Sequence, residues 1–495
     1  MNLRLPACTT NTPSSNSSKP SKIGWVVAVC IAVGVGIGAA SILVNPLFLI
    51  AGALVLPLAL WLVRSVDRML LALVVVIGLL PRFASPVRLG GFTPTFLDAA
   101  LIGFLVAWFA TRSRAVPQIP IAVPLIGLIA VAIATFIVGL PNGALTPLVL
   151  RRFAEMLLSL MTVWVLVTAW PTLESQNKFV RLIVIVGALS AFIGIIFYVM
   201  PDELAIRLLS ALRVFGYPEG ADVLRFILDD PAQMQRATGL WIDPNAFGGF
   251  LLLAGAITLP QLFAPKPVVP RPWVVICLGL IGLTLVLTVS RGAMLGLVLA
   301  ALIIGGLKYR KLLLLGIFVL LLVLVLPQTR SLVAHFADGF AGQDLATQMR
   351  FGEYKDALRL IERYPLFGVG FIDAPDIDLY IGVSSMYLLV TQQMGLLGAA
   401  AFLGVLIAVF VSAARAWPTV RQHADWVPVW LGAHAALAGA LFSGIFDHYF
   451  FNIDFHVSVM LFWAVIALAQ ASTLLATNSL ASQTENGVPS ADSSR

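Results

Sequence analysis

The stretch Pro272–Leu307, PWVVICLGLIGLTLVLTVSRGAMLGLVLAALIIGGL, contains a single charged residue, Arg291. Two apolar runs, Pro272–Val289 and Gly292–Leu307, meet there with almost no loop between them. Each approaches the roughly 20 residues that cross a hydrocarbon core as a helix. A helix apolar on every face has no side to offer to water, so the pair predicts a helical hairpin in a bilayer. Arg291 then sits at its turn, where a guanidinium must snorkel, pair or face a polar cavity. Ser290 and Gly292 make that turn tight enough for its backbone to approach a ligand closely.

The rest of the chain repeats this pattern. Over 495 residues it is 60% hydrophobic and 11% charged, with a mean hydropathy of +0.97. A soluble domain is about half apolar and a quarter charged, so soluble enzymes, disordered scaffolds and disulfide-rich secreted domains are excluded. Further apolar runs lie at Ile23–Leu43, Phe48–Val63, Met69–Leu80, Phe96–Ala110, Ile121–Leu140 and Phe153–Ala169. Others follow at Phe179–Met200, Asn245–Phe263, Leu312–Leu326, Ser385–Ala413, Val427–Phe446 and Phe455–Ala476. The expected fold is an all-α polytopic membrane protein with about 14 (range 12–14) transmembrane helices, Met69–Leu80 being the shortest candidate. The polar segments 1–22 and 477–495 read as disordered tails flanking one transmembrane domain, 23–476. Cys8, Cys30 and Cys277 have neither metal spacing nor a disulfide pattern.

Orientation follows from charge. With the N-terminus inside and alternating spans, every inside connection carries at least two basic residues, and of seven lysines only Lys355 falls outside. That satisfies the positive-inside rule and predicts an N-in, C-in topology. It also explains the net charge of +7 without nucleic acid. Two outer connections are long, 201–244 and 327–384, and their basic residues are almost all arginines. Arginine's planar fork suits bidentate phosphate recognition, although such loop charges also fit simple pairing with neighbouring acids.

Four segments carry candidate chemistry. In the first, Arg236 precedes Asp243-Pro244-Asn245, a helix start with Asp243 as cap, Pro244 at the first position and free N–H groups facing any anion. The second is the Arg291 turn. In the third, Phe351, Tyr354, Leu358 and Ile361 recur at helical spacing between Arg350, Lys355, Arg359 and Arg363. This predicts a basic amphipathic surface helix ended by Pro365, with Gly368 and Gly370 leading back to the membrane. The fourth is Asp447-His448, where a carboxylate beside an imidazole offers an acid–base pair, although the aromatic run Tyr449–Phe451 equally suits an interfacial belt. His434, mid-span, fits a hydrogen bond between helices. Asp373, Asp376 and Asp378 lack the spacing of a calcium loop, and no phosphate-binding loop or dinucleotide motif occurs, so neither metal nor cofactor is implied.

Taken in order, these segments resemble the O-antigen ligase/O-antigen polymerase superfamily of bacterial envelope glycan enzymes. The resemblance rests on Arg236…Asp243-Pro244-Asn245, Thr288-Val-Ser290-Arg291-Gly292-Ala293, Arg350…Pro365-Leu-Phe-Gly368-Val-Gly370 and Tyr387-Leu388…Gly395-Leu-Leu-Gly398, within about 236–406. It implies metal-independent glycan transfer from an undecaprenyl-pyrophosphate carrier to an acceptor sugar hydroxyl on the outer side of the cytoplasmic membrane. Arg236, Arg291 and Arg350 would hold the pyrophosphate, with Asn245, Arg359 and Arg363 as further substrate contacts. Ligases of the superfamily carry a His-Asn pair where this chain has Ser384-Ser385. Serine is a poor general base. Either His448 with Asp447 serves instead, or the acceptor chemistry is that of a polymerase, or the chain is inactive. A transporter or flippase of lipid-linked or anionic substrates is the alternative, disfavoured because the charged residues sit at helix ends and not at a midplane site.

Overall fold

The computed structural model describes residues 56–86, 93–111, 119–325, 341–342, 345–372 and 383–486. The tail 1–22, the Ile23–Leu43 run, Arg88, Arg330, His335 and the Asp373–Asp378 segment lie outside them. The chain divides into two compact units, Met1–Leu62 and Val63–Arg495. Within the first, residues 56–62 are helical; everything below concerns the second.

This unit is a helical bundle. Among the described residues, five helices have the length and composition to cross a membrane: Pro147–Ala169, Leu173–Val199, Pro244–Leu262, Met386–Val420 and Ile453–Asn478. Five shorter apolar helices accompany them: Phe96–Thr111, Ala122–Val138, Arg271–Leu287, Arg291–Leu307 and Val427–Ser443. Large apolar side chains stay exposed around the bundle, among them Trp273, Val275, Leu283, Phe109, Ile126 and Ile407. A surface of that kind needs lipid to cover it.

The Pro244 helix is the axis of the bundle and is buried along its whole length. It packs on the helices that begin at Arg271, Arg291, Leu173 and Val427. Glycine allows two close approaches in the bundle: a Cβ at Gly249 of the Pro244 helix would stand 2.2 Å from the Tyr449 ring, and one at Gly296, where the Arg291 and Val427 helices meet, would stand 2.6 Å from the Gly439 carbonyl oxygen. His434 meets the last helix as its sequence suggests, with Nε2 3.5 Å from Thr473 Oγ1, while Nδ1 lies 2.8 Å from the Trp430 carbonyl.

Three elements stand off the bundle at the end where Arg236 and Arg291 lie. The first is a short helix, Asp202–Ser210, whose Ala205 and Leu209 pack with Phe83, Tyr217, Val223 and Leu224 into a small core. The second is a two-stranded antiparallel ribbon pairing Arg225 with Arg236 and Phe226 with Gln235. The third is the amphipathic helix Leu345–Arg363, which stops two residues before Pro365.

Beyond Pro365 the chain zips onto a break in the Met386–Val420 helix. Gly395 has φ +66° and ψ −170°, a conformation open essentially only to glycine. The break leaves Gln392 and Gln393 carbonyls to accept from Val369 and Gly370 N–H, and lets Leu396 N–H donate to Pro365 O at 2.7 Å. The last helix runs to Asn486, past Ala476 where the apolar run ends. No proline or glycine intervenes before Gly487, and extending a formed helix needs no new nucleus, so its polar end stays helical where composition alone predicts a disordered tail.

Candidate functional site

Arg236 leaves the ribbon pointing at the junction of two helices. Its Nε donates to Thr288 O at 2.8 Å, at the C-terminal end of the Arg271 helix, where unpaired carbonyls gather. Its Nη2 donates to Asn245 Oδ1 at 2.6 Å. Asn245 is held in turn: Asp243 caps the Pro244 helix, its Oδ1 accepting from the N–H groups of Asn245 and Ala246 at 2.8 Å each. Burial lowers the Arg236 guanidinium to about 10, opposed by the negative charges of Asp243 and Asp447, so it stays charged at neutral pH.

The hairpin turn brings the second arginine to the same place. The Arg271 and Arg291 helices are separated by Thr288-Val289-Ser290 alone. Arg291 begins its helix, with Ser290 before it and the Ser290 N–H donating to Thr288 Oγ1 at 3.2 Å. Gly248 lets this turn pack on the Pro244 helix, since a Cβ there would meet Ser290 Cβ at 2.9 Å. Arg350 arrives from the amphipathic helix and has no hydrogen bond or ion pair among the described residues.

These groups line one cavity of about 320 Å³, bounded by Arg236, Arg291, Arg350, Asn245, Ser290 and Asp447, with Ile227, Leu228, Gln233, Val289, Gly292 and Phe446 completing the wall. Three arginines from three separate segments therefore converge, accompanied by one carboxylate. Loss of water raises the Asp447 carboxyl above the usual range, an effect opposed by His448 and Arg350. A larger cavity of about 470 Å³ lies elsewhere, against Trp108, Trp170 and Asn478, and holds none of these residues.

Backbone strain gathers around the smaller cavity. The described residues other than glycine with left-handed φ are Leu228 (58°), Asp229 (53°), Ile242 (66°) and Val289 (54°). Leu228 and Val289 line it, and Ile242 precedes the Asp243 cap. Such conformations cost about 1–3 kcal/mol each and persist where surrounding structure overdetermines them, as binding sites commonly do.

The other sequence candidates fall outside. Arg359 is exposed and pairs with Asp356 at 2.9 Å, and Arg363 lies over the Tyr364 ring at 5.6 Å. His448 does not reach the cavity. Asn452 Oδ1 accepts from the Asp454 N–H, which turns the Asn452 amide nitrogen to His448 Nδ1 at 3.1 Å. Nδ1 is thereby an acceptor and the proton of the neutral ring sits on Nε2. Asp447 Oδ1 accepts the backbone N–H of His448 and does not orient its ring. Arg82, Arg151 and Arg152 act as braces. Arg151 bridges Asp98 at 3.0 Å and Glu155 at 3.8 Å, Arg152 pairs with Asp454, and Arg82 lies over Phe455 at 5.5 Å. The ribbon tip, Ile227, Leu228 and Gln233, escaped the sequence reading; its only signal was its place just before Arg236.

Fold and site together define a multi-pass helical membrane protein with an arginine-lined cavity at one end of its bundle. Residues 275–403 match the family model described as O-Antigen ligase, which supports the resemblance to the O-antigen ligase/polymerase superfamily. The matched segment contains Arg291, Arg350 and Ser384-Ser385; Arg236, Asn245, Asp447 and His448 lie outside it. No curated protein matches the chain.

Proposed function

We propose that the chain transfers a glycan from an undecaprenyl-pyrophosphate carrier to a sugar hydroxyl on an acceptor glycan or glycolipid, as a polysaccharide ligase or polymerase at the outer face of the cytoplasmic membrane. The observation that carries this reading is the convergence of Arg236, Arg291 and Arg350 on one cavity beside a single carboxylate. In the transfer, the acceptor oxygen bonds to the anomeric carbon as the bond from that carbon to the phosphate oxygen breaks. The electron pair leaves on the pyrophosphate, where preplaced guanidinium groups stabilise the growing charge. The acceptor proton goes to Asp447, whose carboxylate is made more basic by withdrawal from water. His448, whose Nδ1 is turned to Asn452, takes no part as the proton acceptor.

Because guanidinium groups supply the positive charge, turnover is expected to persist in a chelator. The deciding experiment reconstitutes the protein with a lipid-pyrophosphate oligosaccharide and an acceptor glycan, and follows carrier release together with lengthening of the acceptor. Release of the carrier coupled to acceptor growth supports transfer. Passage of the intact lipid across the bilayer without release would replace this reading with a flippase.

A further inference from the structure

Arg350 reaches the cavity from a helix that stands outside the bundle, and none of its own hydrogen bonds or ion pairs among the described residues fixes it there. The next turn of that helix is fixed firmly. Glu353 Oε2 accepts the Ser384 N–H at 2.8 Å, and the Tyr354 hydroxyl lies 3.0 Å from Ser384 O and 3.3 Å from Ile445 O. Both backbone groups of Ser384 are thus taken by adjacent residues of one helix. Ala357, one turn on, packs with Val383 and Leu389. Ser384 is itself tied to the cavity wall, because Met386 N–H donates to Gly444 O at 2.8 Å and to Asp447 O at 2.9 Å. The Tyr354 phenol, pushed upward by burial, also feels the charges of Arg350, Glu353 and Asp447, which places it among the site's ionisable groups.

We propose that Tyr354 and Glu353 form a joint with Ser384 that holds Arg350 over the cavity, making Tyr354 a positioning residue for binding the phosphate-bearing donor. This rests on the pyrophosphate reading of the cavity. The physical reason is leverage: Arg350 precedes the joint by three and four residues, about one helical turn, so a shift at Ser384 is transmitted to the guanidinium by a rigid element. The phenol's polar end makes contacts that a phenylalanine of the same shape cannot, so Tyr354→Phe removes the tyrosine half of the joint while keeping the ring and the Glu353–Ser384 bond.

The test combines hydrogen–deuterium exchange with donor kinetics on the full chain in lipid nanodiscs, using a lipid-pyrophosphate oligosaccharide as donor. Tyr354→Phe is expected to speed exchange across 345–363 by about tenfold and leave 386–420 as in wild type. It should also raise the donor KM roughly three- to tenfold, the effect of one net hydrogen bond, with little change in kcat. Arg350→Ala added to Tyr354→Phe should cost less than the product of the single effects, because a displaced Arg350 has less to lose. Glu353→Gln, which keeps an acceptor oxygen for Ser384, should recover most of what Glu353→Ala loses. Unchanged exchange and KM in Tyr354→Phe, or strict additivity with Arg350→Ala, would overturn the joint. Faster exchange with donor KM unchanged in both Tyr354→Phe and Arg350→Ala would overturn instead the pyrophosphate reading of Arg350.

Discussion

Arg236→Lys separates the charge of the first arginine from its geometry. The guanidinium makes two directed bonds at once, Nε to Thr288 O at 2.8 Å and Nη2 to Asn245 Oδ1 at 2.6 Å. Those bonds fix the plane of the fork relative to the cavity. A lysine ammonium on a flexible stem keeps the positive charge but satisfies at most one of the two acceptors in the same direction. The loss is therefore at least one charge-assisted hydrogen bond, about 1.5–3 kcal/mol, plus the fixed orientation. If that orientation is used in the transition state, kcat/KM for carrier release should fall by roughly 10- to 150-fold, since each 1.4 kcal/mol is a factor of ten. The assay is carrier release in proteoliposomes at donor concentrations spanning KM, with thermal unfolding on the same samples to establish that the variant folds. A folded Arg236→Lys protein with wild-type kcat/KM would refute the reasoning, because charge alone would then suffice.

Arg359→Ala should leave donor KM and kcat within about twofold, because an exposed ion pair such as Arg359–Asp356 contributes only about 0–1 kcal/mol and lies outside the cavity; a large loss of activity would bring this arginine back into the site. Asp447 titrates above the ordinary carboxylate range, and a base must be ionised to act, so activity should fall as pH drops through that raised value. His448→Gln removes a group that pulls the Asp447 value down, so the acid limb of the pH–rate profile should move to higher pH, and an unmoved limb counts against Asp447 as the base. Gly249→Ala pushes a methyl to within 2.2 Å of the buried Tyr449 ring, whose hydroxyl is 2.9 Å from Ser443 Oγ. Overpacking of this kind costs about 1–3 kcal/mol, to be read as a lower midpoint of thermal unfolding in detergent.

The sequence by itself determined the solvent and most of the local structure. Near-continuous apolar runs admit only helices in lipid, because each backbone group must be satisfied within its own segment. The hairpin at Thr288–Ala293, the Asp243 cap, the proline at the first helical position and the amphipathic helix before Pro365 are local events, legible from neighbouring residues. The arginines of the site were legible too, since an arginine beside a helix end in so apolar a chain stands out. What local pattern does not contain is distance between segments. Arg236, Arg291 and Arg350 lie far apart in sequence, and only the packing of the Pro244, Arg291 and amphipathic helices brings them to one cavity of about 320 Å³. The same packing admitted Asp447 and turned His448 away to Asn452, although the two are adjacent and equally eligible by composition. It also used Arg82, Arg151 and Arg152 to brace helices, where an exposed arginine and a pairing one read alike. Secondary structure follows from neighbours along the chain, whereas the direction a side chain finally faces is set by neighbours in space, and the site is made of those directions.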